Sequence, residues 1–168
     1  MKVALLNPPW SFDGSIYFGC REPHLPLEYG YAKALLERDG HDALIVDGQL
    51  DGLSLDDMRA CLAAYGPDIT VITTAPSYLF WRCAPPELRV PRETLEAIDG
   101  VTGRTVVIGP HASTTPHATL KKLRCDAAIM GEAEEILPRL VAAGDWSAVP
   151  SVACLTDNEV MINGGLHA

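Results

Sequence analysis

Lys2-Val3-Ala4-Leu5-Leu6-Asn7-Pro8-Pro9 decides the fold: an apolar run without polar alternation, closed by one amide side chain and two prolines. A run of that length reads as a strand buried on both faces, the mark of a parallel sheet. The same figure returns along the chain. Residues 69–72 lead into Thr73-Thr74-Ala75-Pro76-Ser77, residues 105–108 into Gly109-Pro110-His111-Ala112-Ser113, and residues 127–130 into Gly131-Glu132-Ala133-Glu134. Residues 43–46, before Asp47-Gly48, supply one further strand. Ligands of open parallel sheets bind outside the carboxyl ends of the strands, so these strand-end loops are the candidate site.

Helical patterns separate the strands. Pro26 opens the first, with Leu27, Tyr31, Ala34 and Leu35 at helical spacing as its expected apolar face, and Asp39-Gly40 stops it. Ser54 caps the second, with Asp57 three residues on as an acidic near-match to a capping box. Further helices are expected over 92–99, 115–123 and 134–143. A hairpin of residues 151–155 and 159–162, turning at Asp157-Asn158, closes the pattern. Five βα units with right-handed crossovers give an α/β, flavodoxin-like (Rossmann-like), doubly wound parallel five-stranded sheet of order 2-1-3-4-5 with a C-terminal β-hairpin. Its switch point lies between the first and third strands. Residues 1–146 form the binding domain and 147–168 a hairpin or connector. Two long loops, 10–24 and 73–91, carry Trp10, Phe12, Tyr17, Phe18, Tyr78, Phe80 and Trp81, and loops of that length are usually functional or disordered.

The chain has 168 residues and a formal charge of −9, which argues against non-specific nucleic-acid binding. The apolar runs are too short to span a membrane, and the opening residues enter a strand rather than a leader, so a cytoplasmic protein is expected. The five cysteines (Cys20, Cys61, Cys83, Cys125 and Cys154) lack the spacing of a zinc or iron–sulfur site. Cys61, Cys125 and Cys154 read as core residues, while Cys20 and Cys83 fall in the long loops.

Nucleotide-binding motifs are missing: there is no G-x-G-x-x-G after the first strand and no G-x-x-x-x-G-K-[ST]. Asn7-Pro8-Pro9 is a poor phosphate cradle, because proline removes N–H donors. No G-x-S-x-G elbow is present, and His111 beside Ser113 has no recognisable acid partner. No residue is assigned a catalytic or metal-ligating role. What remains is a surface of small hydroxyls, glycines and backbone groups suited to a large flat cofactor with amide side groups and a nucleotide tail. Thr73, Thr74 and Ser77 can hydrogen-bond the tail, and Gly109 allows close backbone approach. A stand-alone α/β domain binding another nucleotide-like ligand, or a partner protein, is the alternative.

Taken in order, the opening through Pro9, Pro26-Leu27 with Gly30-Tyr31, Gly40-His41, Pro67-Asp68, Gly109-Pro110-His111-Ala112 and Gly131-Glu132-Ala133-Glu134 resemble the cobalamin-binding domain that precedes the catalytic domain of many radical S-adenosylmethionine enzymes. The resemblance implies base-off cobalamin, with the nucleotide tail sunk beside the sheet. Thr73, Thr74 and Ser77 would line the tail, while Gly109, Pro110, His111 and Ala112 meet the tail or ring edge. Asn7, Pro8, Pro9, Gly131 and Glu132 complete the rim. Methyl transfer is the commonest role in that family, so the chain would be one module of a methyltransferase, not catalytic alone. Two departures stand out. The D-x-H-x-x-G motif that supplies a cobalt-ligating histidine is absent, so imidazole ligation is not expected. The C-x-x-x-C-x-x-C trio is absent too, so the [4Fe-4S] cluster and S-adenosylmethionine would belong to a catalytic domain elsewhere, in cis or in trans.

Overall fold

The computed structural model describes residues 1–11, 23–76 and 88–164. Strands β1 (Lys2–Asn7), β2 (Asp42–Asp47), β3 (Ile69–Thr73), β4 (Arg104–Ile108) and β5 (Ala127–Ile129) are all parallel. The hairpin β6 (Val152–Thr156) and β7 (Glu159–Ile162) joins the same sheet antiparallel to β5, in the order β2-β1-β3-β4-β5-β6-β7. The expected flavodoxin-like order is therefore observed, extended at one edge by the hairpin.

Strand residues alternate between two apolar cores. Val3, Leu5, Val71, Val106 and Ile129 face helices α1 (Leu27–Arg38) and α6 (Ala133–Ala142). Ala4, Leu6, Ile72, Val107 and Ala128 face α2 (Leu55–Tyr65), α3 (Arg89–Ala97) and the pair α4 (Pro110–Thr114) and α5 (Pro116–Leu123). Burial on both faces is what turns the strands into unbroken apolar runs. Around α2 the local signals act as read: Ser54 Oγ accepts from the Asp57 N–H at 3.1 Å and the Asp57 carboxylate accepts from the Ser54 N–H at 3.0 Å. Gly66 then ends the helix in the left-handed conformation at φ 64°.

Three local expectations are corrected. Helix α1 buries Tyr29, Ala32 and Leu36, leaving Leu27 and Tyr31 each 65% exposed. Both sets keep helical spacing and each carries one tyrosine, and the bond from the Tyr29 hydroxyl to the Leu6 carbonyl decides for the buried set. Cys61 is exposed on α2, whereas Cys125 and Cys154 are buried as expected. Burial pushes the Cys125 thiol up to about 12, so it stays protonated and unreactive. Finally, Gly109-Pro110-His111 is not only a loop: Pro110 occupies a first helical position and opens α4.

Tyr29 closes the seam between β1 and β3. Its hydroxyl donates to the Leu6 carbonyl at 2.8 Å and lies 3.5 Å from the Val71 carbonyl. Burial, and secondarily the Glu28 charge, hold its pKa well above the ordinary phenol value, so it remains a donor. Tyr29→Phe is expected to lower stability by about 1 kcal/mol, measured as a shift in urea midpoint at unchanged slope.

Candidate functional site

The carboxyl ends of the five parallel strands bring four of the expected segments to one edge. After β1, Asn7 is buried and donates its Nδ2 to Asp47 Oδ1 at the end of β2, at 2.8 Å. The same oxygen accepts from the Gln49 and Leu50 N–H groups at 3.2 and 2.9 Å, which builds the Asp47-Gly48 turn. Gly48 packs against β1 so closely that a Cβ would lie 2.9 Å from the Pro9 nitrogen, so the Pro8-Pro9 step is held from below.

After β3, Thr73 and Thr74 are fully inside the protein. Thr73 Oγ1 donates to the Ala75 carbonyl at 2.8 Å, while Thr74 Oγ1 accepts from the His111 N–H at 3.3 Å. The Thr74 hydroxyl, with the Thr74 N–H that donates to the Ile108 carbonyl at 3.0 Å, therefore ties the β3 end to the β4 end, while the Thr73 hydroxyl closes the local turn. Gly109 lies between them at φ 98° and ψ −170°, a region open in practice to glycine alone. A Cβ there would stand 2.8 Å from Thr74 Oγ1, so on that side the space is filled by the protein itself. Ala112 is wholly buried in the α2–α3–α5 core, and His111 is half-buried at the start of α4. Ser77 lies outside the described residues, as do Cys20, Cys83 and most of the two aromatic loops.

Between the β4 and β5 ends the edge opens into a cleft of about 360 Å³. Gly109, Pro110 and Ser113 form one wall, Gly131 and Glu132 another, and Leu27 and Tyr31 of α1 the third. Ser113 fixes the shape: its Oγ donates to the Gly109 carbonyl at 3.1 Å and accepts from the Gly131 N–H at 3.0 Å. Gly131, at φ 97°, has no heavy atom near the place of a Cβ, so its backbone faces open space. The volume falls within the ~300–1,000 Å³ usual for small-molecule pockets. A larger depression of about 680 Å³ lies at the opposite edge, beneath the N-terminal ends of β4 and β5, lined by a mixture of Arg92, Lys122, Arg124, Glu96, Asp99 and Asp126.

Sequence reading misses three participants. Leu27 and Tyr31 are expected on the apolar face of the first helix, and Asp47 is read only as following the second strand before Gly48, whereas Ser113 belongs to an expected strand-end loop. No group of three or more His, Cys, Asp or Glu side chains that could hold a metal ion occurs among the described residues. No helix among them is long and apolar enough to cross a membrane.

Fold and edge together define a doubly wound α/β domain of flavodoxin-like order with a cleft at the carboxyl edge of its parallel strands. Among solved structures, the radical S-adenosylmethionine methyltransferase TsrM from Kitasatospora setae, bound to tryptophan and a SAM analog, matches 97% of this chain with a TM-score of 0.73 at 21% identity. TsrM with cobalamin and a [4Fe-4S] cluster bound matches 95% with a TM-score of 0.71 at 23% identity. The cobalamin-dependent S-adenosylmethionine radical enzyme OxsB, bound to aqua-cobalamin and S-adenosylmethionine, matches 99% with a TM-score of 0.71 at 16% identity. These likenesses establish the fold. In sequence, 85% of the chain is 31% identical, over 144 residues, to an uncharacterized methyltransferase of Pyrococcus horikoshii. The chain spans 29% of that relative's length, 30% of the TsrM chain and 22% of the OxsB chain. No family model matches it.

Proposed function

We propose that this chain is the cobalamin-binding module of a B12-dependent radical S-adenosylmethionine methyltransferase, holding base-off cobalamin at the carboxyl edge of its sheet. The observation that carries the reading is the convergence of Asn7-Pro8-Pro9, Thr73-Thr74, Gly109-Pro110-His111 and Gly131-Glu132 on one edge of this fold. The sequence similarity to a methyltransferase and the cobalamin-bound structural neighbours support it.

The cleft tests the fit. It has room for the base of a nucleotide tail but not for a macrocycle, which would lie outside on the rim. Apolar walls from Leu27, Tyr31 and Pro110 suit a flat heterocycle, and the open backbone at Gly131 permits close approach. Ser113 and Glu132 offer acceptors to ribose hydroxyls or amide side groups. Thr74 acts behind this surface, tying the β3 end to the β4 end so that Gly109 and Pro110 stay in place, and Thr73 holds the turn after β3 through the Ala75 carbonyl. When bound, cobalamin supplies the methyl-carrying cobalt chemistry; the chain supplies orientation and a shielded environment. The [4Fe-4S] cluster and S-adenosylmethionine belong, in this reading, to a catalytic domain in cis or in trans.

Gel filtration after incubation with hydroxocobalamin tests the reading. Corrinoid absorbance is expected to travel with the protein, and a colourless protein peak would overturn it. The finer expectation, that no histidine of this chain ligates cobalt, is read by paramagnetic resonance of the complex reduced to cob(II)alamin. The cobalt lines are expected without nitrogen splitting. A triplet that persists with isotope-labelled benzimidazole and vanishes in His111→Ala would contradict that expectation.

A further inference from the structure

We infer that Trp10 is a ligand-stacking residue of this edge and that buried Asp47, acting through Asn7, is the residue that positions it. The inference rests on the cobalamin reading and gives roles to Trp10 and Asp47, which that reading does not use. It starts from a hydrogen-bonded chain in which Trp10 Nε1 donates to Asn7 Oδ1 at 2.8 Å and Asn7 Nδ2 donates to Asp47 Oδ1 at 2.8 Å.

The chemistry of the chain runs in one direction. A carboxylate accepts and an indole N–H donates, so the amide between them has one favourable orientation, NH₂ toward Asp47 and carbonyl toward Trp10. Flipping Asn7 would set its amino group against the indole donor and its oxygen against the acid. Asp47 thus dictates which end of Asn7 the indole meets. Asp47 is only 5% exposed, and its other oxygen has no hydrogen-bond partner among the described residues. A turn alone does not call for a buried acid, because an exposed Asn or Ser caps such turns at less desolvation cost.

Trp10 is half-buried and, among the described residues, joins neither of the two apolar cores. It is nevertheless fixed on both sides. Pro8 and Pro9 limit the backbone before it, Gly48 packs beneath Pro9, and Arg89 Nη2 donates to the carbonyl of the following residue, Ser11, at 3.0 Å. An aromatic ring held this firmly at a binding edge, and not needed to fill a core, is a platform for a flat conjugated ligand. Under the cobalamin reading that ligand is the corrin.

The full chain labelled with 5-fluorotryptophan supplies a readout other than activity. It contains three tryptophans, and Trp10→Phe assigns the Trp10 fluorine resonance. In the ligand-free protein, Asp47→Asn and Asn7→Leu are each expected to move or broaden that resonance while leaving the Trp146 resonance in place. Hydroxocobalamin is expected to shift it in the unmodified chain. Trp10→Ala is expected to weaken corrinoid binding at least tenfold, and Trp10→Phe by less, since the phenyl ring keeps part of the stacking surface. An unmoved Trp10 resonance in folded Asp47→Asn would overturn the positioning role. Equal dissociation constants for the unmodified chain and Trp10→Ala would overturn the stacking role while leaving the cobalamin reading intact. If the unmodified chain binds no corrinoid, both readings fall.

Discussion

Gly109→Ala is expected to destabilise the domain by about 2–4 kcal/mol, combining a glycine-only backbone conformation with overpacking against a neighbour. At φ 98° and ψ −170° an L side chain is strained wherever it points, and here its Cβ would meet Thr74 Oγ1 at 2.8 Å and Thr73 Oγ1 at 3.2 Å. Denaturant unfolding measures the loss, and a double-mutant cycle with Thr74→Ala divides it. Removing the Thr74 hydroxyl relieves the steric part but leaves the backbone strain, so the two changes together should cost less than their sum. Additive costs would mean that Gly109 and Thr74 do not interact as described. Corrinoid affinity should fall as well, because the β3–β4 tie that sets Gly109 and Pro110 is the scaffold of the cleft. Replacement of Gly109 therefore tests the scaffold first and ligand approach second.

Gly103→Ala is expected to cost still more, about 3 kcal/mol or above. The Cβ would lie 2.2 Å from the Asp68 carbonyl oxygen and 2.6 Å from that of Pro67, with φ at 61°. Both obstacles are backbone, so neither rotates away. They also belong to a junction: the Asp68 carbonyl accepts from the Arg104 N–H at 2.9 Å, and the Asp68 N–H donates to the Lys2 carbonyl at 2.8 Å. The change therefore strikes the N-terminal ends of β1, β3 and β4 together. Urea unfolding should show the loss, and whatever fraction remains folded should bind corrinoid with unaltered affinity, because the carboxyl edge is at the far end of the strands. A fall of less than about 1 kcal/mol would mean that the loop before β4 yields.

The strands were legible because burial on both faces writes itself as uninterrupted apolar residues, and the cap at Ser54–Asp57 was legible because it is local. The buried face of α1 was not. Leu27 with Tyr31 and Tyr29 with Ala32 and Leu36 satisfy helical spacing equally, and only the seam at Leu6 and Val71 decides for Tyr29. That choice turns Leu27 and Tyr31 into a cleft wall. Asp47 was hidden for a similar reason: an acid before glycine reads as a turn, and its burial depends on Asn7, forty positions earlier. Topology gathers the strand-end loops at one edge, but which of their side chains bond to one another is set by the fold. Thr74 Oγ1 accepts from the His111 N–H and so ties β3 to β4, and Ser113, one turn into an unexpected helix, bridges Gly109 and Gly131.

Hydrogen–deuterium exchange with and without hydroxocobalamin tests the central claim most directly, because it reports both whether the cofactor binds and which edge receives it. Peptides covering residues 108–113 and 130–134 should exchange more slowly with corrinoid present. Those lining the opposite depression, at residues 99–105 and 122–126, should exchange at the same rate in both conditions. Protection confined to that opposite edge, or no protection at tens of micromolar corrinoid, would contradict the account.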